Sequence, residues 1–236
     1  MSSLLSESRP FEMPDAVPRT VVYPLEHGDR LTRDEFERRY HAMPGVKKAE
    51  LIEGVVYMPF PVRQPAHSGP HSRLVTFLGI YAGFTPGVES GDNGTVRLDL
   101  DNEPQPDAFL YLAHGGQAKL DDDEYVSGAP ELVAEVAASS ASYDLHAKLN
   151  VYRRNKVREY FVWRVLDGEI DWFALQGSKY EKLPLVNGVI QSEVFPGLWL
   201  NLTSFLKADF PAVFNTLQQG LATAEHREFK AKIHRP

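Results

Sequence analysis

Cysteine is absent from the 236 residues, which excludes disulfide cross-links and thiolate metal sites. Long apolar runs are missing too: none approaches the roughly 20 residues that a membrane-spanning helix needs. The first segment, Met1 to Arg19, is polar and dotted with prolines, without the apolar centre of a secretory signal. The eight histidines include no H-E-x-x-H or comparable zinc spacing. Neither a Walker-type phosphate loop nor a G-x-S-x-G nucleophile elbow occurs. An excess of basic charge is also lacking. The net charge of -7 argues against a protein that coats nucleic acid non-specifically, although a site of clustered carboxylates needs only a local basic surface. Together these absences fit a cytoplasmic protein outside the membrane.

What is present suits one sizeable domain, with 43% hydrophobic and 24% charged residues. Residues 1–20 lack periodic apolar positions and are expected to form a flexible arm. Thr32 and Glu35 have capping-box spacing, predicting a short helix to about Met43, where Pro44-Gly45 stops it. Glu50 to Met58 reads as two short strands around a Glu53-Gly54 turn. Leu74, Phe77, Leu78 and Tyr81 mark an amphipathic helix over about 71–83. Strands are expected at Thr95–Leu100, from Asp107 to Leu112, and at Glu131–Ala137. A helix follows over Ser142–Asn155, then a strand at Glu159–Val165 paired with Ile170–Leu175 through an Asp167-Gly168 turn. Residues 203–232 look helical. Alternating strands and helices favour an α/β (α+β) fold with a mixed central sheet flanked by helices and added β-hairpins.

The chemistry-bearing stretch runs from Pro106 to Tyr160. Glu135 interrupts an otherwise apolar strand, and a buried acid there must be paired, hydrogen-bonded or metal-bound; the alternative is a strand-end side chain in solvent. Asp107 is either a turn aspartate or a site residue. Two carboxylates on neighbouring strands can hold a hard divalent cation such as Mg²⁺ (or Mn²⁺). Such an ion polarises a phosphodiester and makes water a nucleophile near neutral pH. An E-x-K pattern would set a lysine beside Glu135, yet that position holds Ala137. Lys148 shares a helix face with Asp144 and Tyr152, so it either fills the gap or forms a surface pair with Asp144. Lys148, Arg153, Arg154, Lys156 and Arg158 make either a local basic surface or a solvated helix face.

Several motifs together resemble the Uma family of restriction-endonuclease-like proteins in the PD-(D/E)XK superfamily. They are Gly128 through Val136, Tyr143-Asp144, Lys148, Tyr152, Val157 and Glu159-Tyr160. Upstream, Glu50 through Gly54, His71 and Pro106-Asp107 match, as does Ser192 through Leu198; the likeness spans about residues 45 to 206. It implies a restriction-endonuclease-like core over 21–206, with a helical extension at 207–236 packed on the same domain. It also implies Mg²⁺-dependent hydrolysis of DNA, metal-binding acids at Asp107 and Glu135, a migrated lysine at Lys148, Glu50 and His71 bordering the site, and a homodimer.

Departures from the family pattern are specific. Ala137-Ala138-Ser139-Ser140 stands where many members carry Ser-Pro-Ser. Lys156 replaces a glycine after the helix, and a left-handed cap is expected at Asn155 instead, because lysine there costs about 1–2 kcal/mol. Phe161 and Arg164 replace a tryptophan and an aspartate. Two other functions remain open: a non-catalytic nucleic-acid-binding or scaffold protein retaining the fold, and a phosphoesterase acting on RNA or nucleotides. Trp163, Trp172 and Trp199 are expected to pack in the core rather than stack on bases, and Asp121 to Glu124 to be a solvated acidic loop.

Overall fold

In a computed structural model the described residues are 22–58, 67–138 and 144–233; the expected N-terminal arm lies outside them. Helix α1 (Arg33–His41) precedes a hairpin of β1 (Glu50–Ile52) and β2 (Val55–Tyr57). Glu53 and Gly54, both at positive φ, form its two-residue turn. Helix α2 (Gly69–Phe84) then leads through β3 (Val88–Asp92) and β4 (Val96–Arg97) to β5 (Ala108–Leu112). Short β6 (Lys119–Leu120) and β7 (Val126–Ser127) come before β8 (Leu132–Ala137). A wide helical turn, Asp144–Lys148, opens α3 (Leu149–Arg154). Strands β9 (Glu159–Arg164), β10 (Glu169–Gln176) and β11 (Lys179–Lys182) follow. Next come β12 (Leu185–Val186), β13 (Val189–Gln191) and β14 (Trp199–Asn201), then α4 (Leu202–Leu206), α5 (Phe210–Leu221) and α6 (Ala224–Ile233).

The main sheet has the order β11-β10-β9-β8-β5-β3. Only β8 and β9 run parallel within it. A parallel pair needs a crossover, and the turn leading into α3 lies on that connection. Alternation along β8 divides the interior. Leu132, Ala134 and Val136 join a core with α2, Trp163, Trp172 and the C-terminal helices. Val133 and Ala137 face the other way, onto Phe109, Tyr152, Tyr160 and Val162. Phe205, Val213 and Leu217 belong to the first core, with Phe229 and Ile233 against it. Helix α5 approaches the turn before β14 so closely that a Cβ on Gly220 would lie 2.2 Å from the Gly197 carbonyl oxygen.

Four local expectations need correction. Thr32 makes no side-chain cap, and the Glu35 carboxylate, the other half of a capping box, is drawn to Arg38 and Arg39 at 2.6–2.8 Å. The strand expected over 95–100 shrinks to Val96–Arg97, since Asp99 Oδ1 accepts from the Asp101 N–H and the Asn102 amide and turns the chain. The left-handed residue after α3 is Lys156 (φ 66°), whereas Asn155 stays right-handed (φ -82°). The Asn155 side chain is spent on Asp99 Oδ2 (2.8 Å) and the Val151 carbonyl (3.1 Å). The Val157 N–H reaches Tyr152 O (3.0 Å) and the Lys156 N–H reaches Arg153 O (3.2 Å), the two bonds of a Schellman ending. Finally, Asp121 and Asp123 both lie 2.8 Å from Arg97 Nη1, so that loop is ion-paired.

Candidate active site

Strands β5 and β8 pair antiparallel with Ala108 opposite Ala134. One step further, Asp107 comes opposite Glu135, and residues so opposed project to the same face. Both are buried, at 4% and 3% exposure, which rules out a strand-end Glu135 facing solvent; Asp107 occupies a bend just before β5. Asp107 Oδ2 accepts from the Val136 N–H at 2.8 Å. Glu135 Oε1 accepts from Lys148 Nζ and from the Tyr152 hydroxyl, each at 2.9 Å.

Lys148 is the residue that joins the cluster together. It is 3% exposed, so it adds nothing to a basic exterior. Its ammonium lies 2.9 Å from Glu135 Oε1 and 2.9 Å from Glu50 Oε1. Glu50, on β1, also accepts from the Gln105 N–H at 2.8 Å. Lys148 and Tyr152 are four residues apart where the wide turn passes into α3, so both reach Glu135. Position 137, where an E-x-K lysine would sit, holds a fully buried alanine in the aromatic core.

His71 Nε2 lies 3.0 Å from the main-chain oxygen of Asp107 and 2.9 Å from Asp92 Oδ1. The ring therefore braces the end of β5. Two further side chains close to Asp107, Lys48 and His67, were not singled out from the sequence. Lys48 Nζ stands 3.7 Å from Asp107 Oδ1, and His67 Nε2 stands 3.4 Å from Oδ2. Signals for both existed: Lys48 is two residues before Glu50 on an extended segment, and His67 is four before His71, whose ring it stacks on. Burial pushes the Asp107 carboxyl up, but His67, Lys48 and the Val136 N–H outweigh it and hold the group at about 2. Asp107 is thus an ionised carboxylate at neutral pH.

Among the described residues, no group of three or more acidic or histidine side chains stands together to hold a metal ion. Asp107 and Glu135 do offer two hard oxygen donors across adjacent strands. That matches how Mg²⁺ is usually bound, by one or two carboxylates with water and substrate phosphate completing its shell. Elsewhere, Arg153 Nη1 donates to Ser178 O and Arg154 pairs with Glu53. Trp163 and Trp172 are buried in the core as expected.

The fold is shared with a solved structure. A crystal structure described as a putative nuclease belonging to DUF820, from Anabaena variabilis, superposes with a TM-score of 0.56 at 15% identity. The match covers 75% of this chain and 99% of that one. The family model Uma2, described as "Putative restriction endonuclease", matches residues 33–203. The chain belongs to that family. No curated relative matches it by sequence, and no helix of the described residues is long and apolar enough to cross a membrane.

Proposed function

We propose that the protein is a Mg²⁺-dependent endonuclease that hydrolyses phosphodiester bonds of DNA, with Asp107 and Glu135 as the metal-binding acids. The observation that carries this reading is the buried cluster in which Lys148 bridges Glu135 and Glu50 beside an ionised Asp107. A divalent ion there would supply Lewis acidity toward the phosphodiester and make water a nucleophile near neutral pH. Asp107 accepts from the Val136 N–H, with Lys48 and His67 beside its carboxylate. Tyr152 fixes the Glu135 carboxylate in place, and Lys148 brings positive charge to the place where charge on the attacked phosphate grows. Glu50 and Gln105 keep that lysine aimed, and His71 fixes the strand end that presents Asp107.

The test is cleavage of varied DNA substrates in Mg²⁺ or Mn²⁺, with Asp107→Ala expected to lose about a hundredfold or more. Equal cleavage by the two proteins overturns the assignment. The observation that Lys148 is already ion-paired with Glu135 and Glu50 favours a second reading, a non-catalytic nucleic-acid-binding protein on the same fold. Calorimetric titration with Mn²⁺ separates the two, since heat that vanishes in Glu135→Ala fits only the metal-binding site. Substrate profiling against RNA and nucleotides tests the phosphoesterase reading. Cutting both strands of a duplex calls for two sites, as in a homodimer, which sedimentation would reveal.

A further inference from the structure

Beside the carboxylate cluster lies an open cleft of about 400 Å³, set between the segment after α1 and the one joining β3 to β5. The rings of Tyr40 and Tyr125 line it, with Asn93, Thr95 and Gln105 as its polar wall. It is continuous with the site through two residues. Gln105 donates its main-chain N–H to Glu50 Oε1 while its side chain lines the cleft. Asn93 lines the cleft and also reaches His71 Nε2 (3.2 Å) and Lys48 Nζ (3.4 Å).

Resting on the nuclease reading, we propose that this cleft receives one unpaired nucleobase of the strand whose phosphate sits at Asp107 and Glu135. Nucleobases need a flat face to stack on and edge groups to bond with. Tyr125 supplies a ring fixed in place by the Arg97 guanidinium, 4.4 Å from its centroid. Gln105 is 6% exposed and donates from Nε2 toward Thr95 Oγ1 (3.1 Å) and the Tyr40 hydroxyl (3.4 Å). Its Oε1 accepts no hydrogen bond among the described residues, and every natural base carries an N–H that suits it. Lys47 also lines the cleft, giving an otherwise acidic protein a local positive charge for the neighbouring phosphate.

The experiment is fluorescence anisotropy with a fluorescein-labelled ten-nucleotide single strand and an abasic strand of equal length and charge, in EDTA so that no cleavage intervenes. The wild-type protein should bind the base-bearing strand about tenfold more tightly, the scale of one base–aromatic stack. Tyr125→Leu should lose that preference and leave the affinity for the abasic strand unchanged. Equal binding of both strands by the wild-type protein overturns the proposal, and that comparison needs no variant to fold. The two readings fail separately. Base-dependent binding without Asp107-dependent cleavage removes the nuclease reading alone; Asp107-dependent cleavage with equal binding removes the cleft alone.

Discussion

At the scale of single residues, Lys148 decides the character of the site. Two carboxylates within 2.9 Å of one ammonium are tolerable in a buried place only while that charge is present. Lys148→Met is expected to cost about 3–5 kcal/mol, read by urea unfolding, because Glu50 and Glu135 are left facing each other without compensation. If Asp107 and Glu135 hold the cation, Mn²⁺ should restore more stability to this variant than to the wild type, since the ion then supplies the missing charge. An equal Mn²⁺ effect on both proteins would count against that assignment. The acids were readable because carboxyls break apolar strands at Glu135 and begin one at Asp107. Lys148 was readable only as one of two outcomes, since helix spacing cannot tell whether a face turns inward. Lys48 and His67 went unnoticed because each looks like ordinary surface charge until the fold brings both to Asp107.

At the scale of elements, periodicity located α2, β8, β9 and β10, whose apolar patterns match what they bury. Side-chain chemistry at element ends was less legible, because distant partners compete for the same groups. Glu35 answered Arg38 and Arg39 rather than Thr32, and Asn155 answered Asp99, 56 residues away. The outcome at the end of α3 is a lysine in the left-handed region, a conformation that costs a side-chain-bearing residue about 1–2 kcal/mol. Lys156 is exposed, so removing its side chain sacrifices no packing. Lys156→Gly should therefore stabilise the protein by about 1 kcal/mol in a denaturant titration, after the greater chain entropy of glycine is discounted. A loss of stability would mean that the lysine side chain contributes more than its backbone costs.

At the scale of the whole molecule, Glu159 links the main sheet to the segment that leads into the C-terminal helices. It is fully buried at the start of β9 and accepts from Trp172 Nε1, the Ser192 hydroxyl and the N–H groups of Glu193 and Val194. Burial pushes its carboxyl up to about 7 against the pull of those donors. Burial and the nearby Glu37 raise Glu103 to about 8, against Arg97. A carboxyl whose folded pKa exceeds its unfolded value keeps its proton longer in the native state. Its contribution is therefore fully present below about pH 4.5 and is lost as pH rises toward 7 for Glu159 and 8 for Glu103. Thermal unfolding followed from pH 4.5 to 8 should show a decline with rising pH that is shallower in Glu159→Gln. That variant should also be less stable throughout, because an amide turns an NH₂ toward donors. An unchanged slope would exclude Glu159 as its source.

The contact between Gly197 and Gly220 bears on where this protein can be cut. The family match stops at Thr203, yet Phe205, Val213 and Leu217 complete the core that Trp163 and α2 begin. A polypeptide ended at the family boundary would strip a helical layer from the sheet and leave a wide greasy surface exposed to water. Such a fragment would clump during refolding, and an assay on it would report silence from a ruined scaffold. The stretch that the family model covers is shorter here than the stretch that packs one core.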